Sequence, residues 1–181
     1  DSENWEAGNI TMLSNSQATK SAIHEAIQEM ATRIDQDDKF LFYFSGHGST
    51  SEDIEPFDEV DGVEEYLVTY DFDNISDDEF SDWLSIENLG TENSVVFLDT
   101  SFADRSTGVM SSSVTSRGLG MHLPAQDDGF ASDLTSKGSG VVLSAGDAMQ
   151  SVWESSVLRH GVFTYYLLEA MGGDGDEATV D

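Results

Sequence analysis

His47 stands between two glycines, in the run Ser45-Gly46-His47-Gly48, directly after the apolar stretch Phe40-Leu41-Phe42-Tyr43-Phe44. An imidazole in such a place can take or give a proton near neutral pH. The flanking glycines leave it uncrowded and let the backbone approach a ligand closely. A backbone amide beside it can be aimed at a developing oxyanion. A second apolar stretch, Ser94-Val95-Val96-Phe97-Leu98-Asp99, runs into Thr100-Ser101 and so ends in a hydroxyl. The two side chains lie 54 positions apart. Two strands that each end in a reactive side chain have the form of two halves of one active site. A histidine after a strand, taken by itself, is weak evidence and is more often a satisfied structural residue. The chain contains no cysteine, which excludes a thiolate nucleophile, a disulfide framework and a thiolate metal site.

The elements that must position these groups follow from periodicity. Asn9 to Leu13 reads as a short strand. Asn15-Ser16 supplies N-cap chemistry for a helix over 17–34, whose Ile23, Ile27, Met30 and Ile34 form one apolar stripe. Residues 40–44, apolar throughout, suit a central parallel strand covered on both faces. Residues 49–65 read as an acidic loop, and Tyr66 to Tyr70 as a short hairpin or edge strand. Ser76-Asp77-Asp78-Glu79 fits a capping box that opens a helix with Phe80, Trp83 and Leu84 on its apolar side. Gly90 closes that segment before the strand at 94–99. Residues 101–139, rich in Ser, Gly, Asp and Thr, read as one long loop. Residues 140–145 form another buried-type strand, and 161–171 a helix that is apolar nearly all round and stops at Gly172-Gly173. Strands alternating with helices indicate an α/β domain with a mostly parallel sheet. Ligands of such sheets bind beyond the carboxyl ends of the strands, where both His47 and Ser101 fall.

Three stretches carry a family resemblance. Phe42-Tyr43-Phe44-Ser45-Gly46-His47-Gly48 resembles the histidine motif of caspase-like peptidases, in the metacaspase and bacterial caspase-like branch. Val95-Val96-Phe97-Leu98-Asp99-Thr100-Ser101-Phe102 is similar to the motif that ends in their catalytic cysteine. His160-Gly161-Val162-Phe163-Thr164-Tyr165-Tyr166-Leu167-Leu168 resembles a helix motif of their small-subunit region. The spacing of His47 and Ser101 agrees with the roughly 50 residues usual in caspases. The resemblance runs from about residue 9 to the end and implies a three-layer α/β sandwich with a mostly parallel central sheet, in a single domain over 1–181.

That resemblance implies roles. His47 takes the catalytic histidine position and Ser101 the cysteine position. The amides of Gly48 and residue 101 form the oxyanion hole, and Asp99 and Ser45 line the first specificity pocket. An acidic pocket implies cleavage after Arg or Lys. Cleavage after Asp needs pocket arginines, whereas this chain has only Arg33, Arg105, Arg117 and Arg159, and Trp153 is followed by Glu154. Asp99 is otherwise a strand-end cap. The segment 101–139 corresponds to the linker between large- and small-subunit-like parts, often cut during maturation, with Arg105 and Arg117 as processing candidates. The family's first strand and helix have no counterpart ahead of Ile10.

Serine at position 101 departs from the family. A site arranged for a thiolate loses nearly all activity with a hydroxyl. An engineered Cys→Ser exchange, a natural pseudoenzyme and a working serine variant all remain open. The rival to an enzyme is a non-catalytic caspase-like module that binds peptides or partner proteins through the same groove.

Thirty-six Asp and Glu against seven Lys and Arg give a formal net charge of −29. A nucleic-acid partner is disfavoured, because phosphate binding needs basic clusters. The acidity fits a surface adapted to high salt, calcium held by acidic loops, or recognition of basic peptides. The acidic loop 52–65 and the run 174–177 are the calcium candidates, although neither has EF-hand spacing. No cofactor is required by the resemblance, though many metacaspases need calcium. No apolar run approaches the ~20 residues of a membrane span. The acidic first residues are unlike a signal peptide, so a cytoplasmic location and no membrane partner are expected.

Overall fold

The computed structural model describes residues 5–52, 62–102, 114–116, 130–136, 140–146 and 152–172. Its strands are β1 (Phe40–Ser45), β2 (His47–Glu52), β3 (Val63–Val68), β4 (Ile75–Ser76), β5 (Ser94–Asp99), β6 (Val114–Ser116), β7 (Val141–Ser144), β8 (Trp153–Ser155) and β9 (His160–Gly161). Its helices are α1 (Lys20–Ala31), α2 (Asp77–Trp83), α3 (Ile86–Leu89), α4 (Phe130–Ser136) and α5 (Val162–Met171).

The central sheet is parallel, in the order β1-β5-β7, with Ser45 paired to Asp99 at its carboxyl edge. Alternation along each strand divides the side chains between two faces. One face carries Phe40, Phe42, Phe44, Val96, Leu98 and Val142, and it packs against the apolar sides of α1 to α4. Ile23 and Ile27 come from α1, Phe80 and Trp83 from α2, Leu89 from α3, and Phe130 and Leu134 from α4. Aromatic rings knit this layer: Phe42 to Phe80 at 4.7 Å, Phe80 to Phe130 at 6.0 Å, Phe130 to Phe102 at 5.3 Å between centroids. On the opposite face Tyr43 of β1 meets Thr164 of α5. Helices on both faces of a parallel sheet make the expected three-layer α/β sandwich. Two antiparallel ribbons, β2-β3-β4 and β6-β8-β9, flank it.

Several expectations are corrected. Residues 9–13 form no strand: a helical turn covers Ala7–Asn9, and Ile10 and Met12 stand exposed. Apolar alternation makes a strand only when a neighbour completes the hydrogen-bond ladder, and no described strand lies beside this stretch. The first long helix starts at Lys20, capped by Thr19, whose hydroxyl accepts from the Ala22 amide at 3.2 Å; Asn15–Gln17 is only a preceding helical turn. β1 is not covered on both faces. It is an edge strand among the described strands, and Leu41 and Tyr43 are 38% and 41% exposed.

The beginning of the acidic loop is strand β2, which pairs with β3 from His47–Val68 to Glu52–Val63. Residues 53–61 of that loop lie outside the described residues. The long loop 101–139 contains α4, whose Phe130 and Leu134 are fully buried. Two apolar residues four apart in a Ser- and Asp-rich stretch give a periodic signal too short to read. The capping box holds as read: Ser76 Oγ accepts from the Glu79 amide at 3.2 Å.

Candidate functional site

The segments that carry the two chemical side chains come together because the parallel ladder is in register. Ser45 and Asp99 are partners at the ends of β1 and β5, and His47 and Ser101 each lie two residues beyond them. The contact between the two segments is direct. A Cβ on Gly48 would stand 2.7 Å from the Phe102 ring and 2.8 Å from the Ser101 carbonyl oxygen. Only glycine lets the histidine strand lie this close to the segment that carries Ser101. Phe102 in turn stacks on Phe130, at 5.3 Å and 8° between planes. That stack roots the residue after Ser101 in the core. His47 is exposed, whereas Ser101 is buried.

The turn after β3 flanks the His47 end of the β2–β3 ribbon and is firmly held. The Tyr70 amide donates to the Ala18 carbonyl at 2.9 Å. The Thr69 hydroxyl donates to Asp71 at 2.7 Å and holds that carboxyl below the usual carboxylate range. Lys20 Nζ donates to the Asn74 carbonyl at 3.0 Å and to Glu79 at 2.6 Å, tying α1 to the turn and to α2. His24 of α1 stacks on Trp83 of α2 at 4.3 Å.

Asp99 is fully buried. Its side chain shares a sheet face with Ser45, Tyr43 and Phe97, the face that the start of α5 touches. The Thr164 hydroxyl, in the first turn of α5, donates to Asp99 Oδ2. Tyr43 Oη lies 2.5 Å from the same Thr164 oxygen. Gly161, the N-cap of α5, rests on the carboxylate so closely that any Cβ there would overlap its oxygens. Glu154, the acidic residue after Trp153, sits directly across the β8–β9 ladder from Gly161. Ser45, by contrast, is exposed. Asp99, Ser45 and the Glu154–Gly161 pair are therefore gathered at one end of the sheet, beside His47 and Ser101.

Thr164 and Tyr43 were not singled out from sequence. The one available signal was a hydroxyl residue in the otherwise apolar opening of the helix, Val162-Phe163-Thr164. Arg105, Arg117 and the acidic run 174–177 lie outside the described residues. Among the described residues, no group of three or more His, Asp or Glu side chains is placed to hold a metal ion. No described helix is long and apolar enough to cross a membrane.

A family model described as the caspase domain matches residues 9–180. Among solved structures, the crystal structure of protein GSU0716 from Geobacter sulfurreducens is similar, with a TM-score of 0.60 and 23% identity over 90% of this chain. At that identity the likeness is one of fold. This chain spans 65% of the length of that protein. The search of curated proteins returns no match. Because the family match takes in nearly the whole chain and includes both strand ends that hold His47 and Ser101, the chain belongs to the caspase-domain peptidase family.

Proposed function

We propose that this domain is a caspase-like endopeptidase fold built to cut peptide bonds after Arg or Lys, and that it is held inactive by serine at position 101. The observation that carries this reading is the contact of Gly48 with the Ser101 carbonyl. It brings the histidine strand and the nucleophile segment together at the carboxyl edge of a parallel sheet. With a thiolate at 101, the sulfur would attack the scissile carbonyl. The amides of Gly48 and residue 101 would hold the oxyanion, and His47 would protonate the leaving amine. Water would then release the acyl group, with His47 as base. The preference for a basic residue rests on Asp99 and Ser45, with Glu154 adding acidity nearby.

The test is Ser101→Cys, assayed on peptides with Arg, Lys or Asp before the cleaved bond. We expect cleavage of the Arg and Lys peptides only, with loss of about 10²–10⁴-fold when His47→Ala is added. In the same chain, Arg105 and Arg117 are the expected self-processing points. Cleavage after Asp would overturn the specificity. One observation favours a second reading, a peptide-binding module without catalysis: the natural reactivity of a serine hydroxyl is low without a well-placed base. Binding of Arg peptides by the Ser101 chain, together with no turnover by Ser101→Cys, would establish it.

A further inference from the structure

Asp99 is covered by the start of α5, the Thr164 hydroxyl reaches its carboxylate, and the Tyr43 hydroxyl reaches Thr164. Their donor order follows from proton count. A threonine hydroxyl has one hydrogen, and Thr164 donates to Asp99 Oδ2. Thr164 therefore spends its hydrogen on Asp99, and Tyr43 must donate to the Thr164 oxygen. Both O–H groups then donate toward the buried end of β5. The three residues come from β1, β5 and α5, so the array also fixes the helix start against the sheet edge. The array thus fixes the orientation of the carboxylate.

We propose that Thr164, loaded by Tyr43, is the positioning residue that fixes the Asp99 carboxylate, so that the Tyr43–Thr164–Asp99 array sets the preference for a basic side chain. The inference rests on the reading of Asp99 as the specificity residue and goes beyond it by naming what aims that residue. Gly161 supports it independently. A side chain at that position would push α5 off the carboxylate and break the Thr164 contact.

The experiment uses the Ser101 chain as it stands and measures fluorescence anisotropy with two labelled peptides, one with arginine and one with its uncharged isostere citrulline. The quantity read is the ratio of the two affinities. A loosened fold lowers both affinities alike, whereas a misdirected carboxylate lowers the ratio. In the parent we expect a ratio of about 10–100, abolished by Asp99→Asn. Thr164→Val should lower the ratio about fivefold, and Thr164→Ser, which keeps the hydroxyl, should hold it within about twofold. Tyr43→Phe, at an exposed position that tolerates the change, should lower it about two- to threefold and keeps the test available if Thr164→Val does not fold. A ratio unchanged in both Thr164→Val and Tyr43→Phe, while Asp99→Asn abolishes it, overturns the positioning role and leaves the Asp99 reading standing. A parent that does not distinguish the two peptides overturns both.

Discussion

One glycine decides how close the two chain segments come. Gly48 admits the Ser101 carbonyl and the Phe102 ring to distances no Cβ tolerates, 2.8 and 2.7 Å. Phe102 cannot swing aside, because it is buried and stacked on Phe130. Gly48→Ala should therefore cost about 1–3 kcal/mol by overpacking and part the histidine strand from residue 101. We expect a lowered melting temperature and, in the Ser101→Cys chain, a fall in kcat/KM out of proportion to the lost stability. Gly8→Ala is the control, since its Cβ would meet nothing within 4 Å. Equal activity in the two variants would show that the close approach has no catalytic consequence. His47, Gly48 and Ser101 could be singled out as candidates from the sequence because each follows closely on the end of an apolar strand. Thr164 and Tyr43 were not. They are 121 positions apart in the chain, and nothing local to either announces that a helix start will land on a strand end.

Elements with self-contained signals were read correctly, and those that depend on a distant neighbour were not. α2 announced itself through Ser76 and Glu79, and β5 through an unbroken apolar run. α4 could not, because Phe130 and Leu134 mean little until Phe80 and Phe102 surround them. Residues 9–13 misled in the opposite way: their pattern suits a strand, but pairing is a property of two segments. The α5 pattern overstated its burial, since Tyr166, Leu168 and Met171 remain exposed. The capping of α2 is testable in isolation. Ser76 holds the first turn of the helix that places Phe80 against Phe42 and Phe130. Ser76→Ala should cost about 1 kcal/mol, or about 2–4 °C of melting temperature at this chain length. Ser76→Asp, another good cap, should recover it. A melting temperature unchanged in Ser76→Ala would mean that the packing of Phe80, and not the cap, holds the helix start.

At the scale of the whole molecule, the sheet edge and the charge act together. A formal charge of −29 on 181 residues sets up self-repulsion that opposes a compact chain. Among the described residues, few acidic groups are drawn inside. Glu65, Asp77 and Asp99 are buried, and Lys20 pairs with Asp73 and Glu79. Raising the salt from 0.1 to 1 M shortens the screening length from about 10 to about 3 Å, which removes most repulsion between surface carboxylates. If the acidity is an adaptation to salt, the melting temperature should climb steadily with KCl, by about 2–4 °C for each kcal/mol of repulsion relieved. If acidic loops instead hold calcium, millimolar Ca²⁺ should produce a saturating rise that molar KCl does not reproduce, because a bound ion stabilises by mass action. The same titration bears on the site. Screening weakens the long-range attraction of a basic peptide to the acidic surface, while a fork on buried Asp99 is screened far less. The arginine peptide should therefore lose affinity with rising KCl, yet keep most of its advantage over citrulline. Loss of that advantage in step with the affinity would move the source of basic preference from Asp99 to the general charge of the surface.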